Sequence, residues 1–166
     1  MAHTGARVST RSADDRSGPG PFATWRRRPA GVPWSVLGVI SLGGVLGASA
    51  RFGLTGVFPG PPGGFPWTVF AINVTGCLLI GALTVAVTDV WPAQRLVRPF
   101  LGTGVLGGYT TFSTYVVDAQ HLIDRGRPGT ALAYLGLTLI AALLATWAGV
   151  TVTRTLTARR RTGEHA

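Results

Sequence analysis

Residues 102–115 read Gly-Thr-Gly-Val-Leu-Gly-Gly-Tyr-Thr-Thr-Phe-Ser-Thr-Tyr. They lie inside 99–117, a run without a charged side chain. Such a run approaches the ~20 residues needed to cross the hydrocarbon core of a bilayer. Yet Gly102, Gly104, Gly107 and Gly108, followed by Thr110, Thr111, Ser113 and Thr114, make a poor helix. Glycine gives no side chain to pack and loosens a helix by about 1 kcal/mol relative to alanine. The stretch therefore predicts a membrane span, from about Pro99 to Ile123, whose helix is interrupted part-way. An interruption frees backbone carbonyls and amides, which is tolerated only where protein or a water-filled cavity satisfies them. Interrupted helices at mid-membrane commonly build ion sites, because freed carbonyls coordinate cations.

Three more uncharged runs flank this one, at 29–50, 52–88 and 128–153. The chain of 166 residues is 46% hydrophobic and only 13% charged, about half the charge of an ordinary soluble domain. Four spans follow: Trp34 to Val57, Trp67 to Thr88, the interrupted third, and Thr130 to Thr153. Trp34, Trp67 and Trp91 fall near span ends, where indole rings anchor at the interface. Phe58 to Pro66 is built of Pro, Gly and Phe and forms a tight loop; 89–98, with Pro92, is a short link; 125–129 is a turn. Residues 1–30, rich in Ser, Arg, Gly and Asp, read as a disordered basic tail. The expected layout is thus a tail (1–30), a four-helix membrane domain (31–154) and a basic C-terminal tail (155–166). Arg26, Arg27 and Arg28 before an apolar run, with Ala48-Ser49-Ala50 after it, have the shape of a secretory leader. Three further spans follow, so the first is read as retained.

The formal net charge of +9 raises the question of nucleic acid. All the basic side chains are arginines, and all but Arg51 flank the apolar spans, at 7–28, 95–98, 125–127 and 154–161. That is juxtamembrane placement, so no nucleic-acid partner is expected. Cys77 is the sole cysteine and reads as a small packing residue; neither a disulfide nor a zinc site is available within one chain. No paired carboxylates and no Ser/His/Asp set converge, so no enzyme is expected. No acidic residue sits at the middle of a span. A proton-driven exporter needs such a carboxylate.

The few polar groups inside the spans are the candidate site. Arg51, near the end of span one, either snorkels to the interface or places a positive charge at a vestibule. The Asn73 amide either bonds between helices or donates to an anion. Phe112 and Tyr115 share a helix face, and aromatic ring edges are positive. Ser113 and Thr114 add hydroxyls, as do Tyr134 and Thr138 on one face of span four. This lining is rich in donors and lacks a full countercharge. It suits an anion that must shed water yet still leave. Gly43 and Gly47, like Gly104 and Gly108, form G-x-x-x-G pairs suited to close helix contact.

Gly104 through Tyr115 resembles the signature of the CrcB (Fluc) fluoride channels. Gly43 through Phe52, ending Ala-Ser-Ala-Arg-Phe, resembles that family's first-helix motif, and Asn73-Val74-Thr75-Gly76 its second. The resemblance covers about residues 36–150. It implies an all-α integral membrane protein with four transmembrane helices, the third broken at mid-membrane, assembled as an antiparallel dimer with two pores. It implies a structural Na+, bound but not transported, on the backbone carbonyls of Gly107 and Thr110 of each subunit. Fluoride would pass Asn73, Phe112, Ser113, Thr114, Tyr115, Tyr134 and Thr138, with Arg51 at the vestibule. The family usually has Phe where this chain has Tyr115. Ala142, one turn beyond Thr138, lacks the hydroxyl that would prolong a polar track.

A four-helix drug or cation exporter is the runner-up, but its class needs a membrane-buried Glu in the first span, and none is present. A non-conducting scaffold would leave Asn73 and the broken span without a purpose. Arginine placement adds one expectation. Arg26, Arg27, Arg28, Arg95, Arg98, Arg154, Arg159, Arg160 and Arg161 fall on one side of the membrane, against Arg125 and Arg127 on the other. The positive-inside rule then puts both termini in the cytoplasm of a plasma-membrane protein. So firm a bias argues against one sequence inserting both ways. It favours pairing with an oppositely oriented paralogue over a homodimer.

Overall fold

A computed structural model describes residues 33–61, 63–89 and 95–163. The expected tail at 1–30 and residues 90–94 of the 89–98 link, Trp91 and Pro92 included, lie outside the described residues. Helix α1 is Trp34–Val57 and α2 is Trp67–Asp89. A π-helical segment, Arg98–Leu106, runs into the short α3, Gly107–Tyr109. Helix α4 is Ser113–Asp124 and α5 is Pro128–Gly163. Among the described residues, three helices are long and apolar enough to cross a membrane: Trp34–Val57, Trp67–Thr88 and Pro128–Arg159.

Span boundaries at α1 and α2 fall where Trp and the Pro/Gly loop set them. Helix α5 differs at both ends. It starts at Pro128, since proline's fixed φ and missing N–H suit a first helical position. It continues beyond Thr153 to Gly163, through much of the expected C-terminal tail. No Pro or Gly interrupts 150–162, so nothing breaks the hydrogen-bond ladder there. Its 36 residues span roughly 54 Å at 1.5 Å per residue, well past the ~30 Å hydrocarbon core.

Glycine decides which helices meet. Helix α1 packs on the π-helical segment and α3, and α2 packs on α5. The two G-x-x-x-G pairs face each other. A Cβ on Gly47 would strike the Val105 carbonyl, and one on Gly108 would strike that of Gly44. A Cβ on Gly104 would sit 3.0 Å from the Gly43 Cα. Across the bundle, Gly81 abuts the Thr146 carbonyl and Gly149 that of Leu78. Backbone thus lies on backbone at both seams, as close packing in lipid requires. The π-helical turn was not legible in the sequence. There the Gly107 N–H bonds the carbonyls of Gly102 and Gly104, and glycines at all three positions ease the wider turn.

Large apolar side chains face outward. Leu42, Val45, Leu46 and Phe52 of α1 are exposed, as are Leu139, Ile140, Leu143, Leu144 and Trp147 of α5. On α1 the buried residues are Gly43 and Gly47. This inverted pattern fits an apolar solvent. A small buried cluster of Ala119, Leu122, Ala131 and Tyr134 ties α4 to α5. The 58–66 loop is fastened above it: Arg127 Nη1 donates to the Gly63 carbonyl and the Thr68 hydroxyl to that of Phe58.

Candidate functional site: the interrupted helix and its vestibule

The helical backbone stops at Tyr109. Thr110 is extended (φ −77°, ψ 156°), and helix resumes at Ser113. Three side chains occupy the gap. Asn73 Oδ1 accepts the Thr111 N–H at 2.9 Å, and Asn73 Nδ2 donates to the Thr111 carbonyl at 3.1 Å. Arg51 Nε donates to the Gly108 carbonyl at 3.3 Å. The Thr111 hydroxyl oxygen accepts the Thr114 N–H at 3.2 Å, in the manner of a helix cap.

These bonds fix which carbonyls are left over. In an unbroken helix the Thr111 N–H would bond the Gly107 carbonyl, and the Thr114 N–H that of Thr110. Here both amides are diverted, one to Asn73 and one to Thr111. The carbonyls of Gly107 and Thr110 therefore lose their helical donors. Gly107 is exposed and Thr110 half-buried. Such carbonyl oxygens are suitable ligands for a hard cation such as Na+.

Beside the break, a cavity of about 380 Å³ is lined by Arg51, Thr114, Asp118, His121 and Arg125 and walled by the 58–66 loop. Arg51 therefore lines this cavity while bonding the break. The remaining expected residues form two groups. Tyr115, Tyr134 and Thr138 lie together: the two rings are 5.2 Å apart, and Tyr134 and Thr138 are buried. Phe112, 78% exposed, and Ser113, also exposed, face away from the body of a single chain. Phe112 remains within 5.8 Å of the Tyr115 ring. Of the expected site residues, Arg51 and Thr114 line this cavity.

Most of the hydroxyl hydrogens are spent inside the chain. Tyr115 donates to the Leu135 carbonyl at 2.7 Å, Thr138 to that of Tyr134 at 2.7 Å, and Tyr134 to Asp118 Oδ2 at 3.5 Å. To meet an anion, each must rotate away from its present acceptor. Asn73 keeps a second N–H beyond the one given to Thr111.

The sequence profile of the family described as CrcB-like protein, Camphor Resistance (CrcB), matches residues 38–150, both glycine seams and the break included. The chain belongs to the CrcB family. Among its CrcB relatives, a protein of Streptomyces avermitilis named fluoride-specific ion channel FluC 2 is 57% identical over 104 residues, covering 63% of this chain and 66% of the relative. One of Streptomyces coelicolor, named fluoride-specific ion channel FluC 1, is 51% identical over 112 residues, 68% of this chain and 73% of the relative. One of Nocardia farcinica, named fluoride-specific ion channel FluC 2, is 46% identical over 136 residues, 80% and 97% of the two chains. These relatives are named as ion channels, a kind of protein that is not an enzyme. With three helices of crossing length, this CrcB chain is a multi-pass membrane protein.

Two residues central to this CrcB site were not singled out in the sequence. Thr111 is the hub of the break, and Asp118 holds the Tyr134 hydroxyl. A signal for the second was present. Thr114, Asp118 and His121 are spaced four and three apart, which places them on one face of α4, with Arg125 four further on at its C-cap.

Proposed function

We propose that the chain is a fluoride-selective channel that lowers cytoplasmic fluoride by passive efflux across the plasma membrane. The observation that carries this reading is the break at 110–112, held open by Asn73, in a chain 57% identical to a fluoride-specific channel. Helix α4 presents its N-terminus at Phe112, Ser113 and Thr114, and such ends favour anions. The edges of Phe112 and Tyr115, the spare N–H of Asn73 and the hydroxyls of Ser113, Thr114, Tyr134 and Thr138 would replace water around fluoride. None is a cation, so the ion can leave. Arg51 would raise the local anion concentration at the vestibule.

In this reading the segments 98–109 and 113–124 together form the third of four membrane helices, with the break near mid-membrane. Two copies lie antiparallel. The Gly107 and Thr110 carbonyls of both would hold one structural Na+, whose charge fixes the break and is not transported. Both termini are cytoplasmic. The partner is a second copy or, as the arginine bias favours, an oppositely oriented paralogue. Streptomyces avermitilis carries relatives named FluC 2 and FluC 3, which supports pairing between paralogues.

Expression in a bacterium made fluoride-sensitive by loss of its own channel tests the reading. Restored growth in fluoride is expected. Unchanged sensitivity, with the chain in the membrane and a paralogue co-expressed, would overturn it.

A further inference from the structure

The stripe of Thr114, Asp118, His121 and Arg125 runs from the break to the end of α4, and all four line the vestibule cavity. Across it stands Arg51 of α1, bonded to the Gly108 carbonyl. A carboxylate is out of place on an anion's approach, because it repels the ion it should admit. The Tyr134 hydroxyl on α5 bonds Asp118 from behind but brings no charge. The 58–66 loop and α2 line the cavity with Thr68, Val69 and residues free of titratable groups. Asp124 is not among the lining residues, and Arg127 is bonded to the Gly63 carbonyl. The formal charges on the cavity are thus Arg51 and Arg125 against Asp118, with His121 to be added.

His121 lies one turn from Asp118 on the same face and lines the same cavity. Histidine is the side chain whose charge changes between about pH 5 and 8. We propose that His121 sets the rate of fluoride uptake into the vestibule, by offsetting Asp118 when it is protonated. Protonation doubles the net positive charge of the lining, from two arginines against one carboxylate to three cations against one. The vestibule then takes up fluoride best in acid. The inference rests on the channel reading and names a rate-setting residue within it.

The test is fluoride current across planar bilayers holding the full-length chain, with equal pH on both sides. HF is neutral and carries no current. Wild-type current should rise about two- to threefold from pH 8 to pH 5.5 in dilute salt. H121Q should be flat, and H121R should stay at the acid level at both pH values. The difference should collapse in 1 M inert salt, where the Debye length is about 3 Å, which a purely structural role would not cause. An equal pH response in wild type and H121Q overturns the inference and leaves the channel reading standing. Absence of current in every variant overturns the channel reading, and the inference with it.

Discussion

Asn73 holds Thr111 by both backbone groups, accepting its N–H at 2.9 Å and donating to its carbonyl at 3.1 Å. One buried amide on α2 thereby does for the break what a helical ladder does elsewhere. N73A leaves both Thr111 groups without these partners, at about 1–3 kcal/mol for each buried group. Thermal unfolding in detergent should show a clearly lowered midpoint, and fluoride flux should fall at least about tenfold. N73D keeps the acceptor, so it should unfold closer to wild type yet conduct poorly, since its carboxylate repels the ion. A fully conducting N73A would show that the break needs no such support.

The glycine seams separate two kinds of alanine substitution. At Gly47 a Cβ meets the backbone of Val105 and Tyr109; at Gly53 it meets nothing within 4 Å. G47A should destabilise by about 1–3 kcal/mol, because backbone cannot yield as a side chain can. G53A should be neutral or stabilising by up to ~1 kcal/mol through helix propensity. Unfolding midpoints of the two variants, measured side by side, decide it.

Tyr115 carries both a ring and a hydroxyl at the break. Its hydroxyl donates to the Leu135 carbonyl, while its ring lies against Phe112 and Tyr134. Y115F should lose about 1 kcal/mol of stability with its hydrogen bond and still conduct. Y115A removes the ring edge as well and should abolish most of the flux. Equal flux in the two variants would remove the ring from the pathway.

Arg51 combines a charge with a bond to the break. R51K keeps the first and loses the second, so its steering should persist while its unfolding midpoint drops. R51Q loses both. Its flux should fall most in dilute salt and approach the flux of R51K at high ionic strength. A deficit that is independent of salt would assign Arg51 a structural role alone.

Much of this was legible in the sequence because it rests on one-dimensional signals. Charge-free runs marked the three helices long enough to cross a membrane, and Trp67 and the Pro/Gly loop marked the edges of α2. The glycines before Thr110 marked an interruption by their weakness in a helix. What escaped depends on register between segments distant in the chain. Nothing near Asn73 says that its amide turns to Thr111, 38 residues on, rather than to an ion. Nothing near Gly81 says that it meets Thr146. The π-helical turn escaped because the same glycines suit a loose α-helix equally well. The reach of α5 to Gly163 escaped because arginines read as a tail when their charge is weighed ahead of their helix propensity.

The most direct test of the central claim is anion release from liposomes holding the purified chain, with fluoride and chloride followed in parallel. Rapid fluoride release with chloride retained is the result predicted for a chain that suffices alone. If the chain is silent until an oppositely oriented paralogue is added, the channel stands and the arginine bias has set its partner. Chloride released as fast as fluoride, or neither ion released by correctly folded protein with such a partner present, would contradict the account.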